Sequence, residues 1–311
     1  MTAVVERLAN PRVISTWVSV ARPHILAIVF ASTLAYGWIF SERFAPLFAV
    51  LAVWDWFIVN FMNKAVDVEE DAENGIVGAD LVRAHKATVE RIGWGMIALG
   101  LLVGYWAAPV ILPYRVLFTL IGLAYNYEII PVLSKKTGNW RPARSRLKEM
   151  YFFKNFGSSM LFTLSVFVYP LIGLGLARYY PTRSFLLAIA FFIPLELTYE
   201  ILYDLRDVDG DRALKVPTYP VVHGEAATRW ILYGLLLLSA TPMIAGAAMG
   251  VLRLREWVVM AGTLQQLIFV LVLLRGGRRP TAKECVAITY IGAAQLCAYC
   301  AWVAAGLPLG A

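Results

Sequence analysis

The chain has 311 residues, of which 59% are hydrophobic and only 16% charged, and its mean hydropathy is +0.65. About a quarter of the residues of a typical soluble domain are charged. This composition excludes a disordered chain, a nucleic-acid-binding tail and most soluble enzymes, and we expect no nucleic-acid partner. It indicates an integral, multi-pass protein of the lipid bilayer.

Nine segments are apolar enough to cross a bilayer, which takes about 20 residues. We predict spans at about 23–41, 44–63, 92–110, 114–133, 155–176, 184–203, 230–252, 257–274 and 285–306. The residues left over suffice only for loops. The sequence therefore predicts an all-α membrane fold in which residues 1–311 form a single polytopic domain.

Basic residues divide unequally between the two sides of this predicted topology. One side receives only Arg43, Arg115, Arg178, Arg183, Arg253 and Arg255. The other lysines and arginines all fall on the opposite side. Because basic loops stay in the cytoplasm, that side is predicted to be cytoplasmic, and the membrane of a bacterial protein would be the inner one.

Two rows of acidic residues follow the second and sixth predicted spans on that side. The first acidic row is Asn63, Asp67 and Asp71, and the second acidic row is Asp204, Asp207 and Asp211. If each helix continues through its row, the side chains share one helical face. Stacked like charges repel unless a cation lies between them. Mg²⁺ takes carboxylate oxygens and bridges to substrate phosphates, so the rows predict a magnesium site.

The positions of the rows also predict an internal duplication. They follow spans two and six, an offset of four, which puts both rows on the same side of the membrane. We therefore expect two four-helix repeats plus a ninth helix, with nine helices around a central cavity.

These residues resemble a known family. Asn63-x-x-x-Asp67-x-x-x-Asp71 is similar to the first acidic motif of the UbiA superfamily of intramembrane prenyltransferases. The segment Tyr203–Asp211 resembles its second motif, and Lys215, Thr218 and His223-Gly224 resemble the continuation of that motif. Arg22-Pro23 and Lys154-Asn155 match further family pairs. The resemblance covers almost the whole chain.

Two features depart from the family pattern. Lys64 stands where the family usually has an acid, which makes the first site less negative. The frequent Asn-x-x-x-Arg-Pro after the first motif is replaced here by Gly75-Ile76-Val77-Gly78 and a later Arg83. Because of the second departure, the resemblance does not determine the identity of the acceptor.

The resemblance implies an enzyme that transfers an isoprenyl group from a polyprenyl diphosphate to a small, aromatic or quinone-precursor acceptor and releases diphosphate. It implies two Mg²⁺ ions, held by Asp67, Asp71, Asp207 and Asp211, with Asn63 and Asp204 completing or orienting the ligand sets. The active site would face the cytoplasm.

Other residues are candidates for contact with the substrates. The basic residues expected at the diphosphate are Arg22, Lys64, Arg146, Lys148, Lys154 and Lys215. Attraction to anionic lipid headgroups is the alternative for the basic 131–154 loop. Tyr125 and Tyr127 are expected to line the site. Asp55, Glu196 and Glu200 lie at membrane depth, where acids mark functional sites. Glu196 and Glu200 either orient an acceptor hydroxyl or remove its proton, or they only bridge helices.

Three other functions compete with this interpretation. A terpene cyclase of the same family would use the same metal site without an acceptor. A CDP-alcohol phosphotransferase is disfavoured, because its motif fails at Leu214. A cation transporter would carry its acids near the membrane midplane, whereas most acids here lie at the predicted cytoplasmic rim.

Overall fold

The computed structural model describes residues 18–73, 75–136, 139–175, 181–252 and 254–306. Within these ranges nine helices are long and apolar enough to cross a membrane, which confirms the predicted all-α membrane fold. The spanning helices are α1 (Pro23–Ser41), α2 (Pro46–Val66), α5 (Lys86–Ala107), α6 (Leu112–Asn126), α7 (Tyr151–Gly173), α8 (Thr182–Ala213), α10 (Glu225–Ala248), α11 (Leu254–Leu273) and α12 (Ala282–Ala304). Three short helices are α3 (Val68–Glu73), α4 (Ala79–Ala84) and α9 (Tyr219–His223).

The helices form two four-helix units with matching neighbours. In the first unit α2 contacts α1, α5 and α6, and in the second α8 contacts α7, α10 and α11. In the first two helices of each unit, half or more of the residues in the most apolar 18-residue segment are buried within the protein. In the other five spanning helices, at most 28% of those residues are buried. The ninth spanning helix, α12, packs against α1, α8 and α11. The predicted duplication therefore places α1, α2, α7 and α8 at the centre.

The two acidic rows differ in their backbone. Helix α8 continues unbroken to Ala213 and carries the whole second row on one helix. The first row does not continue α2, as the sequence analysis assumed, because α2 ends at Val66 and Asp67 has φ −96° and ψ 22°. Helix α3 resumes at Val68. The chain therefore turns at Asp67 itself.

Residues 127–145 differ most from the sequence prediction. The fourth span was predicted to reach residue 133, but α6 ends at Asn126 and Tyr127 is extended. Strand β1 (Ile130–Lys136) then pairs antiparallel with β2 (Asn139–Ser145) in a hairpin. Proline at position 131 suits an edge strand and disfavours a helix, which explains why the apolar run does not continue the span.

Most other helices extend past the predicted spans. Helix α5 begins at Lys86 rather than at residue 92, and α7 begins at Tyr151 rather than at residue 155. These two predicted spans began directly after an ionisable residue, Arg91 and Lys154 respectively. The helices continue, since long charged side chains at a helix end reach the membrane surface while their backbone stays helical.

A buried ion pair joins four of the spanning helices. Asp55 on α2 accepts hydrogen bonds from Arg115 on α6, at 2.6 Å from Nη2 and 2.9 Å from Nε, and from the Tyr169 hydroxyl of α7 at 2.9 Å. Arg115 Nη1 also donates to the Gly100 carbonyl of α5 at 2.6 Å. Arg115 is 0% exposed. Asp55, which the sequence analysis weighed as a functional acid, therefore has a structural partner.

The close approach of α5 to Arg115 makes Gly104 sensitive to substitution. A Cβ at Gly104 would lie 2.3 Å from Arg115 Nη1. We expect Gly104→Ala to lower the unfolding free energy by roughly 1–3 kcal/mol, since overpacking must displace a bonded guanidinium. The control is Gly234→Ala, because a Cβ at this helical glycine meets nothing within 4 Å. Equal melting temperatures of the two purified variants would contradict the prediction.

Candidate active site

A cavity of about 540 Å³ lies among the central helices. Its rim is polar and is formed where the helices that carry the acidic rows end. The residues of this rim are Arg22, Asn63, Lys64, Asp67, Glu70, Lys148, Lys154, Asp204, Arg206 and Asp207. Its deep end, which we call the floor, is formed by Ser32, Tyr36, Trp56, Leu161, Phe162, Phe192, Leu195 and Val259, all of them buried.

The turn at Asp67 positions its carboxylate at the rim beside two cations. Lys148 Nζ lies 2.6 Å from Asp67 Oδ1, and Arg146 Nη1 lies 3.2 Å from the same oxygen. Asn63 Nδ2 donates to Asp67 Oδ2 and, at 3.0 Å, to Asn126 Oδ1. Burial raises the pKa of the Asp67 carboxyl, and the Lys148 ammonium opposes that rise. The charge of Asp67 therefore depends on the cations that surround it.

The second half of the first row has its own cation. Lys64, which is 4% exposed, places Nζ 2.8 Å from Asp71 Oδ2. Arg22 lies just before α1 and donates weakly to Asn60 Oδ1 at 3.4 Å and to Asn63 Oδ1 at 3.5 Å. The lysine that departs from the family pattern thus neutralises the acid one turn beyond Asp67.

Lys154, in the first turn of α7, holds the second acidic row. Its Nζ lies 2.8 Å from Asp204 Oδ1 and 3.4 Å from Asp211 Oδ2. Asn155 Nδ2 donates to the other Asp204 oxygen at 2.8 Å. Asp207 is paired with Arg206. Both rows therefore meet at one rim, and a cation lies beside every carboxylate of the two rows.

Below the rim, two carboxyl groups of α8 face the cavity. Ser158 Oγ donates to Glu200 Oε1 at 2.8 Å, and Ser159 Oγ donates to Glu196. Sequence reasoning missed both serines, because serine is common in membrane helices. The sequence pattern that could have identified them is the polar stripe that they form with Asn155 on α7, because such stripes are typical of hydrogen bonding between membrane helices.

The structure brings most of the predicted site residues together. The predicted residues that line the cavity are Arg22, Asn63, Lys64, Asp67, Tyr125, Lys148, Lys154, Glu196, Glu200, Asp204 and Asp207. Asp71, Asp211 and Arg146 are bonded to members of that set.

Two predicted residues do not line the cavity. Lys215 is exposed beyond the end of α8, at φ 57°, because the helix has already ended when the chain reaches it. Tyr127 packs against Trp94 of α5, with ring centroids 6.1 Å apart. It follows the end of α6 and has an extended backbone, so its side chain does not share a helical face with Tyr125. Neither side chain is part of the cavity lining, and their contact with substrate stays a prediction.

The rim has the chemistry of a magnesium site, although it is not a preformed cage. Among the residues with described placement, no three acidic, histidine or cysteine side chains converge on one point. Mg²⁺ does not require such a cage, because it is usually held by one or two carboxylates together with substrate phosphates and water. Asp67 with Asn63, and Asp204 with Asp207, supply oxygen donors of this kind. The residues present therefore fit the ion.

Comparison with known proteins adds a family and a fold. The UbiA prenyltransferase family model matches residues 83–296, a range that includes the second acidic row but not the first. No curated protein sequence matches the chain.

Several solved structures share the fold at low sequence identity. A UbiA homologue from Archaeoglobus fulgidus bound to DMAPP and Mg²⁺ has a TM-score of 0.70 and 14% identity, covering 94% of this chain and 100% of that one. The same homologue with GPP and Mg²⁺ has a TM-score of 0.68 and 15% identity, covering 93% and 99%. A structure described as digeranylgeranylglyceryl phosphate synthase has a TM-score of 0.56 and 16% identity, covering 93% and 97%.

Proposed function

Because the chain belongs to the UbiA prenyltransferase family, we propose that it is a Mg²⁺-dependent intramembrane transferase. It moves an isoprenyl group from a polyprenyl diphosphate to a small, aromatic or quinone-precursor acceptor and releases diphosphate. The observation that carries this proposal is a cavity whose rim contains members of both acidic rows and five basic side chains, while mainly aromatic and aliphatic residues form its floor. A diphosphate with an apolar tail matches that distribution of charge.

The rim residues bind the diphosphate in this proposal. Two Mg²⁺ ions would be held by Asp67, Asp71 and Asn63 on one side and by Asp204, Asp207 and Asp211 on the other. The ions would neutralise charge on the leaving diphosphate. Once metal neutralises the carboxylates, their present lysine and arginine partners become available to the phosphate oxygens. The Archaeoglobus homologue was solved with Mg²⁺ and DMAPP or GPP, which supports the binding of Mg²⁺ together with a prenyl diphosphate.

The deeper cavity receives the isoprenoid tail. Trp56 and Phe162 on neighbouring helices have ring centroids 4.2 Å apart, and Phe162 and Phe192 are 6.4 Å apart. These apolar aromatic faces bury the isoprenoid tail and exclude water from it. Glu196 and Glu200 lie between floor and rim, where an acceptor would meet the reacting carbon and lose a proton.

A terpene cyclase is the second candidate, and the aromatic side chains of the floor favour it, because aromatic faces stabilise the cations that form along a cyclising tail. The experiment is to incubate the purified protein with geranyl, farnesyl or geranylgeranyl diphosphate, with and without phenolic acceptors. Mass spectrometry identifies the products, and diphosphate release is measured in the same reactions. We expect a prenylated acceptor. Cyclic products from the donor alone would establish the cyclase instead.

The orientation in the membrane is part of the proposal. The excess of basic residues at the rim supports a cytoplasmic active site. Labelling of a cysteine introduced at Lys215, which is exposed on that side of the protein, tests it. Modification by an impermeant reagent in intact cells would contradict the cytoplasmic orientation.

Loss of the Lys148 charge should weaken donor binding. Lys148 is 3% exposed and bonds Asp67 and Glu70, each at 2.6 Å, at the rim. We expect Lys148→Met to raise KM for the prenyl diphosphate by roughly 10- to 100-fold, since a charge-assisted hydrogen bond contributes about 1.5–3 kcal/mol. Lys86→Met removes an exposed charge outside the cavity and is the control. If expression or membrane association falls while KM stays constant, the basic residues serve lipid headgroups instead.

A further inference from the structure

Among the described residues, the part of the cavity below the rim is lined by two acidic side chains and by no lysine or arginine. Glu196 and Glu200 lie one helical turn apart on α8 and line it with Ser158. Glu196 is two turns from Asp204, a rise of about 12 Å along the helix. The lysines and arginines that line the described cavity, namely Arg22, Lys64, Lys148, Lys154 and Arg206, all belong to the rim.

This distribution of charge disfavours an anionic acceptor in either protonation state of the two carboxyl groups. If they are ionised, they repel a second anion in a low-dielectric site. If they are neutral, they still provide no counterion, and burying an unpaired carboxylate costs several kcal/mol. The basic side chains of the rim cannot serve as counterions for the acceptor, because in the proposed function they bind the diphosphate of the donor.

An unpaired amide in the same cavity, one helical turn along α2 from the rim residue Asn63, points to a hydroxyl ligand. Asn60 on α2 lines the cavity and is 5% exposed. Its Nδ2 has no hydrogen-bond partner among the described residues. A buried donor without a partner is costly, so a ligand atom that accepts its hydrogen bond would be stabilised there. A hydroxyl group accepts from Asn60 and donates to a glutamate oxygen, which satisfies both kinds of side chain.

We propose that the acceptor is an uncharged hydroxyl compound, a phenol or an alcohol without a carboxylate, bound between Asn60 and the Glu196–Glu200 pair. This inference rests on the proposed function. The C1–O bond of the allylic donor breaks, and its electron pair leaves with diphosphate. C1 then bonds to a ring carbon or to the hydroxyl oxygen of the acceptor. The proton lost from that atom passes to a carboxylate oxygen of the pair and then to water.

The test uses matched acceptors with the full-length protein and Mg²⁺. Methyl 4-hydroxybenzoate is paired with 4-hydroxybenzoate, and 2-methylhydroquinone with 2,5-dihydroxybenzoate. Prenylated product and released diphosphate are measured in each reaction. We expect the neutral member of each pair to be prenylated at least about tenfold faster, which corresponds to about 1.4 kcal/mol of discrimination.

Variants test the residues named. Glu200→Gln and Asn60→Ala should both raise KM for the neutral acceptor, and Glu200→Gln should leave KM for the donor unchanged, whereas a merely structural defect would change both. Glu128→Gln, an exposed acid outside the cavity, is the control. Equal or faster prenylation of the acids overturns the inference and leaves the proposed function standing. Cyclic products without acceptor overturn the inference and the transferase reaction, and no diphosphate release with any donor overturns both proposals.

Discussion

Asp67→Asn is expected to lower Mg²⁺-dependent diphosphate release by about 10²–10³-fold, the loss typical when one preorganised charge-stabilising group is removed. Asp67 lies at the turn between α2 and α3, lines the cavity and contacts Lys148 and Arg146. Asparagine keeps the shape of the side chain but provides no negative charge for a metal ion. Single-turnover release of diphosphate from the purified variant measures the effect.

The second acidic row should behave in the same way, and Asp207→Asn tests it. Glu69→Gln is the matched control, because Glu69 lies two residues from Asp67 but its side chain is 74% exposed and pairs with Arg83. Removal of metal with EDTA should stop diphosphate release by the unaltered protein, and Mg²⁺ should restore it. Full activity in EDTA, or in either asparagine variant, would exclude a site in which both rows hold metal.

Arg115→Met should lower the unfolding free energy by about 3–5 kcal/mol, because it leaves Asp55 buried without its cation. The contacts of Asp55 and Tyr169 with Arg115 and with each other join α2, α6 and α7 far from the rim. The measurement is the denaturation midpoint of the protein in detergent. Activity per folded molecule should stay close to that of the unaltered protein, since none of these three residues lines the active-site cavity.

A double variant separates the destabilisation caused by an unpaired buried charge from the contribution of the ion pair itself to stability. Asp55→Leu combined with Arg115→Met removes both charges, and we expect it to be more stable than Arg115→Met alone. Arg83→Met breaks an exposed pair with Glu69 and should cost less than about 1 kcal/mol. If Arg115→Met lowers the unfolding free energy no more than Arg83→Met does, the buried ion pair does not stabilise the packing of these helices.

The sequence by itself determined the features that depend on composition and helical period. The nine apolar runs predict nine spanning helices, because a backbone in lipid must satisfy its hydrogen bonds internally. The spacing of Asp204, Asp207 and Asp211 predicts one helical face, and this holds because α8 continues through all three. The same reasoning was less accurate for the first row, where a local backbone turn at Asp67 interrupts the helix.

The tertiary structure alone decided which charges meet. Lys148 pairs with Asp67 and Lys154 with Asp204, although the two lysines are six residues apart in the sequence. The hairpin and the start of α7 direct them to opposite rows, and no local pattern encodes that choice.

The same limit applies to the residues between rim and floor. Asn60 and Ser158 are ordinary polar residues of membrane helices when they are considered singly. Only the packing of α2, α7 and α8 around one cavity brings them into the same lining as Glu200. Periodicity fixes the direction of a side chain on its own helix, whereas a pocket depends on the directions of several helices together.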